Sequence, residues 1–216
     1  LVRCKELLSP SINRLRFEDA RKRHPEIADE PILPPVVISS LPRCGSTKLH
    51  RLLAEGGDYQ LLPFWQMYNL APFPDVDDDQ AARIADAESY IEWRYSKSPQ
   101  MKAGHLIEAL EPEEESYLIE LTFEPMNFAA HYEIPSFLNW LRDRDRVPIY
   151  SYLKETLRYV QWQHVSGEPR PFLLKAPPNI GFEPEIAEVF PGTSFVMLLR
   201  NPIEAISSPA KMVWDS

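Results

Sequence analysis

Three short runs of consecutive apolar residues constrain this chain most: VVIS at residues 36–39, FLLK at 172–175 and SFVMLL at 194–199. Alternating apolar and polar positions would mark a strand with one wet face, whereas consecutive apolar positions mark a parallel strand covered on both faces. Each run leads into a helix signal. Leu49, Leu52 and Leu53 recur at helical spacing after the first and stop at Gly56 and Gly57. Pro184 opens a segment carrying Ile186, Val189 and Phe190 after the second, and Pro202, Ile203 and Ile206 follow the third. Strand then helix, three times over, predicts an α/β fold with an open parallel sheet flanked by helices and with ligands at the carboxyl ends of the strands.

A long helical insert, about residues 77–166, separates the first strand from the later ones. Ile84, Ala87 and Ile91 recur at helical spacing behind an acidic start at residues 77–79. Pro112 followed by Glu113, Glu114 and Glu115 reads as a helix opening continued by Leu118 and Leu121. Phe137, Leu138 and Leu141 follow Pro135, and Tyr150, Leu153, Leu157 and Val160 form a further stripe. Such stripes are the core-facing sides of helices that cover a sheet. The acidic run at residues 75–79 reads as a solvated loop and helix cap.

Length and composition bound the rest. A chain of 216 residues that is 44% hydrophobic buries a real core without disulfides or a structural metal, and residues 1–216 read as a single domain. No apolar run approaches the ~20 residues of a membrane span, and no leader opens the chain. The net charge of -9 disfavours nucleic acid and anionic membrane as partners, so any bound anion needs a local site. Cys4 and Cys44 cannot build a disulfide framework and do not lie with His at zinc spacing, so no metal is expected and a reducing cytoplasm is the default. Because the sequence opens on Leu1 and stops at Ser216, shortly after the helix signal at Pro202, it reads as truncated.

The segment VVISSLPRCGSTKLHRLL, residues 36–53, carries the chemistry. A strand ends, a short loop with Pro42, Arg43, Cys44, Gly45, Ser46 and Thr47 follows, and a leucine-rich helix begins at once. That order suits a phosphate cradle: helix N-terminal amides face an anion, hydroxyls add donors and Gly permits close approach. A strand, turn and helix with Ser and Thr also occurs without any ligand. A nucleoside triphosphatase P-loop would have Gly at position 40 and Lys at position 46, where this chain has Ser40 and Ser46. The cation has moved into the loop as Arg43. A second site is suggested where Arg200 ends the third strand. Ser208, about two helical turns on, leans back toward it, although Arg200 alone would also suit a cation at a strand end.

These two segments together resemble the sulfotransferase family that uses 3′-phosphoadenosine 5′-phosphosulfate (PAPS), in its bacterial-type branch with an LPRTGTT loop and a KAPPHLGF…FP…RDP…S pattern. The matching residues are LPRCGST at 41–47, KAPPNIGF at 175–182, FPGTSFV at 190–196, and RNP at 200–202 with Ser208. His105, PEEE at 112–115, FLNWL at 137–141 and LRYVQW at 157–162 resemble the same branch, so the likeness covers the chain from about Arg14 onward. The resemblance implies a P-loop-like fold with a nucleotide-binding core at 35–57 and 171–212. It implies an enzyme that transfers a sulfuryl group from PAPS to a hydroxyl or amine of a small acceptor and releases 3′-phosphoadenosine 5′-phosphate (PAP), without a metal. Arg43, Cys44, Gly45, Ser46 and Thr47 would hold the 5′-phosphosulfate, Arg200 and Ser208 the 3′-phosphate, and Lys175 would lie near the bond being broken.

The chain departs from the branch where a proton must be taken. Gln66 and Asn179 stand where Glu and His are common, and neither can act as a base. His105 and the acids Glu113 and Glu114 remain, with His105 the best suited near neutral pH and Glu114 next; a lone His is more often structural, and the two acids also suit the charges of a helix start. Lys48 stands where the family is usually apolar. A nucleotide-binding relative without turnover and a P-loop kinase are the competing readings.

Overall fold

A computed structural model describes residues 2–74, 76, 79–125, 134–165, 167–201, 203 and 205, with side chains from residue 8 onward except at 100, 101 and 103. Its three strands are those of the apolar runs: β1 (Val36–Ser40), β2 (Leu173–Lys175) and β3 (Ser194–Leu198). They pair in parallel in the order β2-β1-β3, with Ile38 opposite Lys175 and Val196, and Ser40 opposite Leu198. This register gathers the carboxyl ends of all three strands at one edge. Val37, Ile38, Leu173 and Leu174 are buried, as consecutive apolar positions in covered strands should be. β3 departs from that expectation. Among the described residues it is the edge strand beyond β1, and one of its faces is left uncovered, with Met197 56% exposed and Leu199, just past its end, 87% exposed.

Helix α1 (Val2–Arg23) packs on the insert although no apolar stripe announces it. Its inward positions are Asn13, Phe17 and Ala20, spaced for one helical face, while Leu8 and Leu15 point to water. Asn13 Nδ2 donates to the Tyr68 carbonyl at 2.6 Å, so a polar residue fills a core position. Helix α2 (Ser46–Ala54) follows the β1 loop and packs on β1 and β2. The insert runs through α3 (Phe64–Tyr68), α4 (Gln80–Lys97), α5 (Pro99–Gly104), α6 (Ser116–Ile119), α7 (Pro135–Arg142) and α8 (Val147–His164), and α9 (Glu183–Val189) links β2 to β3. The main core joins Phe17 of α1 to Tyr150, Leu153, Leu157 and Val160 of α8 and to Phe172 and Leu174. A second cluster around Phe64, Trp65, Ala87 and Ile91 holds α3 to α4.

Two expectations fail for local reasons. No helix opens at Pro112. Glu113 N donates to the Leu62 carbonyl and Phe64 N to the Glu111 carbonyl, so residues 111–113 lie antiparallel to 62–64 and the helix waits until Ser116. Nor is Asp79 solvated. It caps the chain before α4 by accepting from Phe73 N at 2.5 Å, and it lies 3.8 Å from the buried Arg83 guanidinium. Asp75, Asp77 and Asp78 fall outside the described residues.

Candidate active site at the strand ends

The loop after β1 turns through two left-handed residues, Arg43 (φ 67°) and Gly45 (φ 94°), before α2 begins. Arg43 adopts a conformation that costs a residue with a side chain of order 1 kcal/mol or more. At Gly45 nothing lies within 4 Å of where a Cβ would stand, so the space over the loop is open. Leu49 N closes the first helical turn on the Gly45 carbonyl. The amides before it have no acceptor in their own helix and flank the hydroxyls of buried Ser46 and half-buried Thr47. Cys44 is half-buried in the same loop, and Lys48 is exposed, so its charge disturbs no packing.

The loop cation reaches the insert. Arg43 Nη1 donates to the carbonyl of Gly104. His105 comes next, just beyond α5 rather than on a helix, and its Nε2 meets Glu113 Oε2 at 2.9 Å. The other oxygen of Glu113 lies 3.7 Å from Lys175 Nζ, and Glu114 Oε1 lies 2.8 Å from the same nitrogen. The side chains of His105, Glu113, Glu114 and Lys175 therefore form one linked set at the strand ends, and Arg43 reaches the residue next to it through the Gly104 carbonyl. Arg200 joins Arg43 from β3, donating from Nη1 to the Arg43 carbonyl at 2.9 Å. It is an exposed residue past the end of β3. Ser208 lies outside the described residues.

The electrostatics of the set follow from burial. Burial would raise the carboxyl of Glu113, but the hydrogen bond and charge of His105 and the charge of Lys175 outweigh it and hold the group at about 2. Glu115 shows the opposite balance. Complete burial pushes it up to about 7 against the hydrogen bonds it accepts from main-chain amides and Asn179. His50 of α2 is buried with Nε2 3.3 Å from the Leu173 carbonyl; burial, then the charge of Lys175, lower it to about 4.

His105, Glu113 and Glu114 bring donor atoms within 4.8 Å of one another, the spacing of a cation site. The Lys175 ammonium already lies against both carboxylates.

Two residues of this site escape sequence reasoning. Glu115 accepts from Lys175 N and Asn179, and His50 braces α2 on β2. The run of three acids was the visible signal for the first. For the second there was only a histidine within a leucine-rich helix.

The geometry defines an α/β fold with a cluster of charged side chains at the carboxyl ends of its parallel strands. The sequence profile of the Sulfotransferase family matches residues 34–216, and the chain belongs to that family. No curated protein matches it. In fold it is similar to the sulfotransferase STF9 from Mycobacterium avium, with a TM-score of 0.81 and 21% identity over 97% of this chain and 54% of that one. It is likewise similar to the sulfotransferase STF1 from Mycobacterium tuberculosis H37Rv, with a TM-score of 0.78 and 24% identity over 96% of this chain and 56% of that one. The chain thus spans about half the length of these solved relatives. No helix among the described residues is long and apolar enough to cross a membrane.

Proposed function

We propose that this chain carries the site of a sulfotransferase that moves a sulfuryl group from PAPS to a hydroxyl or amine of a small acceptor. The observation that carries the reading is the linked set of His105, Glu113 and Lys175 at the strand ends, with Arg43 of the β1 loop bonded to the Gly104 carbonyl beside it. The open loop at Gly45 suits the 5′-phosphosulfate, with Arg43, Cys44, Ser46 and Thr47 around it. Arg200, tied to that loop, and Ser208 are assigned to the 3′-phosphate.

In such a transfer the S–O bond to the donor phosphate breaks, an S–O or S–N bond to the acceptor forms, and the acceptor gives up its proton. Negative charge grows on the leaving phosphate, and Arg43 and Lys175 are the cations available to offset it. Ionised Glu113 draws the Nε2–H of His105, which leaves the ring lone pair on Nδ1. Nδ1 then takes the acceptor proton, and Glu113 stabilises the imidazolium that results. With Lys175 between the two carboxylates, this route uses no metal.

A relative that binds nucleotide without turnover is the second reading. The close hold of Glu114 on the buried Lys175 ammonium and the turning of Asn179 toward Glu115 and Tyr150 favour it. The kinase reading gains nothing, since Ser46 replaces the lysine it needs. The test is PAP release from PAPS in the presence of phenol, alcohol and amine acceptors, together with alkylation of Cys44. Transfer requires acceptor-dependent PAP release, and PAP should shield Cys44. A shielded Cys44 without release selects the second reading, and an unshielded Cys44 without release overturns both.

A further inference from the structure

Three consecutive carboxylates converge on Lys175, but they engage different parts of it. Glu113 and Glu114 face the ammonium, whereas Glu115 Oε2 accepts from the Lys175 main-chain N–H at 2.8 Å. Its other oxygen accepts from Asn179 Nδ2, and Asn179 Oδ1 accepts in turn from the Tyr150 hydroxyl at 3.1 Å. Glu115 also opens α6, since Leu118 N and Ile119 N both donate to its carbonyl. One fully buried side chain therefore joins the start of α6, the last residue of β2 and the turn after it. Burying a carboxylate there is expensive when an apolar residue would pack at less cost, so what the group provides is its two acceptors.

We propose that Glu115 is a positioning residue for Lys175: it caps the last amide of β2 and grips Asn179, so that the Lys175 main chain leaves the sheet in one fixed geometry and carries its ammonium to the strand ends. The catalytic consequence rests on the sulfuryl-transfer reading. β2 is only three residues long and its ladder partner is β1 alone. Without the Glu115 acceptor the last amide of the strand would be buried without a partner.

The test separates acceptor from volume. Glu115→Leu fills the space without an acceptor. Glu115→Gln keeps one carbonyl for the Lys175 N–H, and Asn179 can turn its amide over because the Tyr150 hydroxyl both donates and accepts. The expected results are a loss in kcat of roughly 10- to 100-fold for Glu115→Leu with PAP affinity held within about threefold, and recovery of most of that loss in Glu115→Gln. In 1H–15N spectra the Lys175 amide proton should move upfield in Glu115→Leu and stay near its wild-type position in Glu115→Gln. A folded Glu115→Leu protein with wild-type kcat, or with an unmoved Lys175 amide, overturns the proposal. Absent turnover in the wild type would instead overturn the transfer reading, and the amide shift would still decide whether Glu115 holds Lys175.

Discussion

Lys175 has only 1% of its side chain exposed and two carboxylates on its ammonium, so it is both a structural cation and a candidate for the leaving phosphate. Removing it leaves Glu114 without its cation and Glu113 with His105 alone. Lys175→Ala should therefore destabilise the fold by about 3–5 kcal/mol in denaturant melts, and adding Glu114→Gln should restore part of that. The same variant should lose ~10²-fold or more in turnover while PAP affinity changes modestly; an equal loss in both would make Lys175 a ground-state binding group. His105→Ala should lower turnover by ~10²–10⁴-fold and leave PAP binding intact, whereas unchanged turnover would make His105 structural. Lys175 and Arg43 were legible in the sequence because a strand end and a helix-opening loop fix them locally. Their partners were not. The acids that hold Lys175 lie about sixty positions away, and no local pattern states that a contact across such a distance forms.

At the scale of elements, the strands were legible because parallel pairing demands uninterrupted apolar runs, and the loop before α2 because Gly and hydroxyl residues punctuate it. Two elements misled. The run at residues 112–115 has the composition of a helix start, yet its backbone pairs with residues 62–64, and that tertiary pairing turns Glu113 and Glu114 toward Lys175. Helix α1 hides its inward face because Asn13 occupies a core position while Leu15 is 71% exposed. Asn13→Ala should then cost ~1–3 kcal/mol, since the Tyr68 carbonyl loses its donor, and Leu15→Ala should stay within about 0.5 kcal/mol of wild type. Equal costs in chemical denaturation would contradict this orientation of α1.

For the whole molecule, buried titratable groups set the pH dependence of stability. His50 and His164 sit at about 4 in the fold against 6.5 as free side chains, for both because of burial first. The unfolded chain therefore binds more protons there, and stability falls as pH drops from 6.5 toward 4. Glu115, at about 7 against 4.5, works the other way over 7 to 4.5. Two groups against one leave a net slope of about one proton near pH 5.5, or ~1.4 kcal/mol per pH unit, and His50→Asn should flatten it; denaturation midpoints at several pH values would show this. The overall architecture was legible because a strand followed by a helix, repeated, has few solutions, whereas the open side of β3 was not, since an apolar run does not tell an edge strand from a central one. The central claim is that the β1 loop and the Arg200 region together bind a nucleotide bearing phosphate at both the 5′ and 3′ positions. Calorimetry with PAP and with AMP tests it most directly: PAP should bind roughly ten- to a hundredfold more tightly, with Arg200→Ala erasing the difference, and equal affinities for PAP and AMP in the wild type would contradict it.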